Sequence, residues 1–348
     1  MKGVLLNQYG ESLSNLEISS KVHLPKPEKS QILIKVCATS INPLDNVMRK
    51  GYAKSIVGLT NQELPIILGR ECSGEIVEVG QDVWDYNIGD LVWGSNAPFS
   101  NGSHAQYVLL DESEISLKPK NLSHRESASV PFAALTALNA ITNTAKLEHG
   151  SSKRVLVNGG NGGVGFFIVN YLKKHLHIPF VATTCNPIHF DKLKAAGADQ
   201  VIDYNLSSIL QDSTQQPFDI IFNCVTGEQI EDKCIHALKN NTGHLIGFNG
   251  SFVSHSDSQG VVQGLPRGVM DTLSKRDQIK TKFNKDIQFD HCLFVPSGPH
   301  LAQLAKLYEN HTLSVNIDNT LHFGIDEIAL AYQAFENRTA NGKVVIDV

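Results

Sequence analysis

Residues 154–167 read RVLVNGGNGGVGFF and constrain this chain more than any other stretch. A β-branched run, Arg154 to Asn158, meets Gly160-x-Gly162-x-x-Gly165, and a helical run from Val164 to Leu176 follows. Glycine at these places allows a tight turn and close approach of a pyrophosphate, and the first N–H groups of the helix face the phosphate oxygens. On its own this spacing is a weak signal. Placed between a strand and a helix, it predicts a dinucleotide site.

The surroundings carry the same rhythm. Phe180 to Thr184, Gln200 to Tyr204, Phe218 to Cys224 and His244 to Phe248 read as strands. Pro187 to Ala196 and Gln229 to Leu238 read as helices between them. Such β-α alternation predicts an α/β fold, a doubly wound parallel sheet of the Rossmann kind. The run DIIFNCV is almost continuously apolar, as a strand covered by helices on both faces should be. An NAD site wants a carboxylate at the end of the second strand, on the ribose 2′-hydroxyl. Here that strand runs into Cys185 and Asn186, and no acid appears before Asp191. This permits NADPH, with Asn186, His189, Lys192 and Tyr204 as candidates near its 2′-phosphate.

Residues 1 to about 125 have another texture. Gly3–Leu6, Gln31–Cys37, Gly74–Val79, Leu91–Trp93 and His104–Leu110 are short strand-like runs, broken by Pro25, Pro27, Pro43 and Pro65. They predict a β-barrel-like or partly open sheet. Ser127–Leu147 reads as an apolar helical stretch, interrupted near its start by Pro131. Residues 254–290 are polar and glycine-rich, with a short helix near Val269–Ser274. Cys292–Pro296 then reads as the last strand of the parallel sheet and Leu301–Tyr308 as a helix. Asn319–Phe323 and Lys343–Val348 read as strands around a helix at Ile325–Asn337.

Composition excludes several classes. The 348 residues suggest roughly two domains. Thirty basic against 35 acidic residues, with no basic stripe, argue against nucleic-acid binding. None of the six cysteines forms C-x-x-C, so they read as buried thiols of a reducing compartment. No apolar run reaches the roughly 18 residues of a membrane span. MKGVLLNQYG reads as neither a signal nor a transit peptide, which makes the cytoplasm the default location and the mitochondrion the alternative if a leader has been removed.

Four segments resemble the medium-chain dehydrogenase/reductase superfamily: Ser40–Asp45 (SINPLD), Leu68–Gly74 (LGRECSG), Gly159–Gly165 and Asn341–Asp347 (NGKVVID). INPLDNVMRKGYA, PFAALTALNAI and FVPSGPHLAQLAKL resemble its zinc-less quinone oxidoreductase branch, which includes the reticulon-4-interacting proteins. The resemblance implies a GroES-like domain over residues 1–126 and 299–348, and a Rossmann NADPH-binding domain over 127–298. Zinc relatives supply a Cys and a His where this chain has Thr39-Ser-Ile-Asn-Pro and Arg70, so no metal is expected.

What remains is hydride transfer from NADPH to a quinone or an α,β-unsaturated carbonyl. The resemblance sets Asn42 against substrate or nicotinamide, Tyr52 as a proton or hydrogen-bond donor, and Asp45 and Arg49 as residues that structure their loop. For the cofactor it adds Asn161, Gly163 and Val164 to Gly160 and Gly162 in the phosphate loop, and Asn186, His189 and Tyr204 near the adenosine phosphate. It sets Phe248 and Leu293 at strand ends on the nicotinamide half, and Arg338, Thr339 and Ala340 as residues closing over the cofactor. It also implies a homodimer. An enoyl-thioester reductase and a cofactor-binding interaction protein with little turnover are the competing readings.

Overall fold

The computed structural model describes residues 1–58, 63–98, 100–205, 216–248 and 252–348. The chain divides into two compact units, one of residues 1–135, 295–311 and 315–348, the other of 136–294 and 312–314.

The first unit is built on antiparallel strands. β1 (Gly3–Leu6) lies between β2 (Leu16–Ser19) and β4 (Ile66–Ile67). The larger sheet is organised by β3 (Gln31–Ser40), which pairs with β5 (Cys72–Val79) and β7 (Tyr107–Asp111). β6 (Leu91–Gly94) and β8 (Ile115–Leu117) continue it beyond β5. Alternation along β3 puts Ile32, Ile34 and Val36 into one core with Ile76, Val92, Val108, Leu110 and Ile115. The C-terminus closes the other edge: β16 (Val345–Asp347) pairs with β3, Val345 opposite Ser40. Residues 127–135 count with this unit, because Ala128 packs on Ala38 and Val345, and the Phe132 N–H donates to Glu71 Oε2.

The second unit carries six parallel strands: β9 (Arg154–Asn158), β10 (Phe180–Cys185), β11 (Gln200–Asp203), β12 (Ile220–Asn223), β13 (His244–Gly247) and β14 (Gln288–His291). Their order is β11-β10-β9-β12-β13-β14, so the chain reverses direction of travel across the sheet beside β9. Ala182, Leu156, Ile221, Leu245 and Phe289 stand in register as an apolar row across five strands. Ile235 and Cys234 of the helix Glu228–Ala237, and Ile279 of the helix Val261–Phe283, belong to the same buried core.

Four sequence expectations shift. The last sheet strand is Gln288–His291 rather than 292–296: Phe289 fills the core position opposite Leu245, while Leu293 and Val295 are exposed. The short helix near 269–274 is part of Val261–Phe283, which its internal Pro266 and glycines obscured. The stretch 127–147 breaks at Pro131 as expected, since Pro131, lacking an N–H, starts a helix over Pro131–Asn139, but that helix gives way to a wider helical turn over Ala140–Thr144 instead of running on to 147. The strand at 319–323 shrinks to β15 (Phe323–Gly324). Among the described residues no helix is long and apolar enough to cross a membrane.

Candidate functional site

The glycine loop sits where β9 ends and the helix Gly163–Lys174 begins. Gly159 takes φ +88°, a left-handed conformation that favours glycine. Its N–H donates to Thr184 Oγ1 at 3.0 Å, and the Gly160 N–H donates to Thr184 O at 2.9 Å. One residue at the end of β10 thus pins the start of the loop. A Cβ on Gly160 would lie 2.0 Å from Thr183 Oγ1, and one on Gly165 would lie 2.3 Å from Gly159 O. Glycine is required at both places by space. At Gly162, the helix N-cap, no atom comes closer than 3.6 Å to such a Cβ, and no side chain caps the helix. The first-turn N–H groups, Gly163 and Val164 among them, therefore face outward over the loop that carries half-buried Asn161.

The other residues expected around a cofactor are spread over both units. Asn186 caps the turn Pro187–His189, its side chain accepting from the Ile188 N–H at 3.2 Å, and His189 leads into the next helix. Tyr204 is exposed just past β11. The register also brings Asp203 opposite Cys185, so a carboxylate stands at this strand end, supplied by the neighbouring strand. Its Oδ1 accepts from Asn205 N at 2.9 Å and Nδ2 at 3.0 Å. Phe248 follows the last residue of β13. Leu293 lies two residues beyond β14, exposed, its carbonyl accepting from Asn139 Nδ2. Arg338, Thr339 and Ala340 belong to the first unit. Arg338 takes φ +55°, Thr339 Oγ1 donates to Ala334 O, and Ala340 packs on the core around Tyr332.

The first unit holds a buried polar cluster. Asn42, 2% exposed, precedes the helix Pro43–Arg49. Its Nδ2 donates to Glu71 Oε1 at 2.8 Å, and its Oδ1 accepts from Lys343 Nζ at 2.5 Å. Lys343 Nζ also lies 2.7 Å from Glu71 Oε1, and Ser40 Oγ donates to the same oxygen. Asp45 closes the helix start: Oδ2 accepts from the Asn42 N–H and Oδ1 from the Gly69 N–H, with Arg70 Nε at 3.6 Å. Arg49 goes elsewhere. Its guanidinium donates to the carbonyls of Gly10, Glu11 and Ser12 and to Glu336 Oε1. Tyr52 is half-buried against the core that contains Met48. Arg70, fully buried, donates to the carbonyls of Ala97, Pro98 and Ser100; burial pushes its pKa down. Buried His104 places Nε2 3.4 Å from Ser40 O, and burial pushes its pKa down as well. Sequence reading gave Glu71 and Lys343 no role. The available signal was the charged pair Arg70-Glu71 beside the buried-looking Cys72, and Lys343 immediately before the apolar run Val344–Ile346.

Asp318 sets the turn that delivers Lys343. Its Oδ2 accepts from the Asn341 N–H at 2.8 Å, and its Oδ1 from Thr320 N and Oγ1. Burial alone raises its pKa, but these hydrogen bonds outweigh that and hold it below the usual carboxylate range. A depressed folded pKa gives stability present above the unfolded value, about 3.9, and lost as pH falls through the folded one. Asp318→Asn is expected to destabilise the protein by about 1–3 kcal/mol at neutral pH. Its deficit relative to the parent should shrink below about pH 4. Urea titrations of both proteins at pH 7 and pH 3.5 check this; a deficit that does not change with pH would mean that the charge is irrelevant.

Comparison with known proteins fits this layout. Residues 28–120 match the alcohol dehydrogenase GroES-like domain, and 196–346 match the family described as zinc-binding dehydrogenase. The chain is 55% identical to "NAD(P)H oxidoreductase RTN4IP1, mitochondrial" of Dictyostelium discoideum, over 100% of this chain and 99% of that protein. It is 29% identical to the 2-methylene-furan-3-one reductase of Solanum lycopersicum, over 99% of this chain and 79% of that one. Among solved structures, the quinone oxidoreductase from Coxiella burnetii superposes with a TM-score of 0.80 at 30% identity, covering 100% of this chain and 99% of that one. With a GroES-like domain, a doubly wound parallel sheet and relatives of this kind, the chain belongs to the medium-chain dehydrogenase/reductase superfamily, as an oxidoreductase of its quinone oxidoreductase-like part.

Proposed function

We propose that this protein uses NADPH, without zinc, to reduce a quinone or an α,β-unsaturated carbonyl compound. The observation that carries the reading is the glycine loop. The Thr183 hydroxyl and the Gly159 carbonyl leave no room for a side chain at Gly160 or Gly165, and an uncapped twelve-residue helix opens directly from it. Gly160, Gly162 and the N–H groups of Gly163 and Val164 would hold the pyrophosphate. Beside the second strand end stand Asn186, His189 and Tyr204, the candidate partners of a 2′-phosphate; the Asp203 carboxylate on the neighbouring strand counts against one, and the comparison of NADPH with NADH below weighs the two. Bound NADPH supplies a hydride, two electrons to the acceptor, and the matching proton comes from a protein group or water.

Zinc is a poor fit to the residues present. A guanidinium, Arg70, is committed to three carbonyls where relatives have a histidine, and Ser40 Oγ donates to Glu71. Among the described residues no three or more His, Cys, Asp and Glu side chains are grouped to hold a metal. The family name "zinc-binding dehydrogenase" and this donor set therefore disagree. Asn42 keeps one amide hydrogen beyond the bond to Glu71 and offers it to an acceptor oxygen; Tyr52 is the candidate donor of the proton. Asp45 and Arg49 hold the loop and helix that carry them.

The Solanum relative's enone substrate name favours an enone among the acceptors. The Dictyostelium relative's name favours a mitochondrial over a cytoplasmic location, which imaging of a tagged protein tests. β14, an edge strand paired on one side only among the described residues, favours a homodimer, which light scattering tests. The central experiment follows NADPH and NADH oxidation in parallel, with a small ortho-quinone, a simple enone and a crotonyl thioester. NADPH-selective turnover of the first two is expected. Turnover of the thioester alone points to an enoyl reductase. Tight NADPH binding with no turnover on any acceptor points to a binding protein instead.

A further inference from the structure

The segment between β5 and β6, Gly80 to Asp90, divides its side chains between the core and solvent. Val83 is buried, and Tyr86 packs on the same core around Ile76 and Val92, its hydroxyl donating to Ile115 O at 3.0 Å. The residues beside them turn outward. Trp84 is 84% exposed and Ile88 66% exposed. Leu91 and Leu117, at the adjoining ends of β6 and β8, are exposed as well. The backbone that carries them is fixed. Gly80 N–H donates to Gln31 O, Asp82 N–H to Lys29 O, Asp85 N–H to Glu112 Oε1 and Gly89 N–H to Ile76 O. A single apolar residue on a surface needs no explanation. A tryptophan held out on a pinned loop, with three aliphatic residues near it in the same strands and turn, has the character of an interface anchor, for which Trp is the favoured residue.

The charge around it has one sign. Residues 80–91 hold Asp82, Asp85 and Asp90 and no Lys, Arg or His. Glu112 joins them from the turn after β7; Glu112, Asp85 and Asp90 all act on Tyr86, whose pKa burial and these carboxylates push up. None of the four acids is in an ion pair among the described residues. Two lysines adjoin the segment through backbone bonds, Lys29 at Asp82 and Lys118 at Leu91, and Lys118 Nζ is committed to the carbonyls of Pro119 and Leu122. Such a face repels anionic lipid and nucleic acid. It also disfavours a second copy of the chain, since a two-fold contact would set like charges against each other.

We propose that this face of the first unit, Trp84 and Ile88 among Asp82, Asp85, Asp90 and Glu112, docks a cationic amphipathic segment of another protein. The apolar stripe of such a segment covers Trp84 and Ile88, and its Lys and Arg side chains meet the carboxylates. The tryptophan supplies most of the affinity. The exposed charges add little to it and instead set the encounter rate and the dependence on salt. The face lies within one unit and does not depend on how the glycine loop is read.

The test uses the full chain and a synthetic amphipathic peptide of leucine and lysine. The same peptide with glutamate for every lysine, and polylysine, are the controls. The chain has two tryptophans, and Trp93 is fully buried beside Tyr308, so a shift in tryptophan emission reports on Trp84. The Leu/Lys peptide should move that emission to the blue, and the controls should not. By calorimetry, Trp84→Ala should weaken the peptide about thirtyfold, the loss of one interface anchor. The pair Asp82→Asn, Asp85→Asn should weaken it at low salt and much less at high salt. Asp326→Asn, at an exposed acid elsewhere in the same unit, should leave it unchanged. No binding of the Leu/Lys peptide, equal binding of the Leu/Glu peptide, unchanged affinity in Trp84→Ala, or an equal loss in Asp326→Asn overturns the inference. So does a blue shift with anionic lipid vesicles, which would make the face a membrane contact. A dimer that Trp84→Ala dissociates in light scattering overturns it too, and would make the face a contact between copies.

Discussion

Replacing Lys343 with Met will cost about 3–5 kcal/mol of stability, the penalty for leaving a buried charge without its counter-ion. Glu71 is fully buried, and its hydrogen-bond donors among the described residues are Ser40 Oγ, Asn42 Nδ2, Lys343 Nζ and the Phe132 N–H. Only the lysine carries charge. Without it, three neutral donors face a carboxylate in an interior where water cannot screen it. Asn42 also loses the partner of its Oδ1, so the start of the helix Pro43–Arg49 loosens. Glu71→Gln strands the ammonium in the same way. The double variant Glu71→Gln, Lys343→Met removes both charges and should recover at least about 2 kcal/mol relative to the sum of the singles, as coupled neighbours do. Urea denaturation of the four proteins measures the coupling. Additive losses, or a Lys343→Met cost under about 1 kcal/mol, would show that the pair is no more than a solvated surface contact.

That pair shows what a sequence hides. Lys343 and Glu71 lie 272 residues apart; Glu71 directly follows Arg70, and Lys343 follows Asn341-Gly342, contexts in which a charge reads as an exposed edge. Only the return of the C-terminal strand to β3 brings them together. Arg70 is similar: it is legible as the replacement of a histidine, but not as a cation held by three carbonyls of a distant loop. The glycine loop is legible because its constraint is local, with strand, turn and helix within fourteen consecutive residues, 154–167. The β-α rhythm around it is legible for the same reason. It fails where hydrophobicity and sheet position part company. The run at 292–296 is more apolar than Gln288–His291, yet only the latter is in register with β13.

Replacing Gly160 with Ala will abolish measurable dinucleotide binding, an effect of about a hundredfold or more. The new methyl would sit 2.0 Å from Thr183 Oγ1 and 3.3 Å from Leu193 Cδ1. Thr183 is fully buried and its hydroxyl donates to Val157 O at 2.8 Å, so it cannot swing away without orphaning a strand carbonyl. The loop must yield instead. Moving it breaks the bond from Gly160 N to Thr184 O and displaces the helix N-terminus by a large fraction of an ångström. Phosphate recognition by aligned N–H groups tolerates little of that, since such bonds weaken steeply with angle. If space is the cause, Thr183→Ala in the Gly160→Ala background makes room. The double variant should regain much of the lost affinity, although Thr183→Ala alone costs some stability by removing the bond to Val157 O. Titration of intrinsic fluorescence with NADPH separates the cases. Unchanged binding in Gly160→Ala would remove the loop from the cofactor site. Loss in both single and double variants would mean that the glycine serves the backbone of the turn rather than the space beside Thr183.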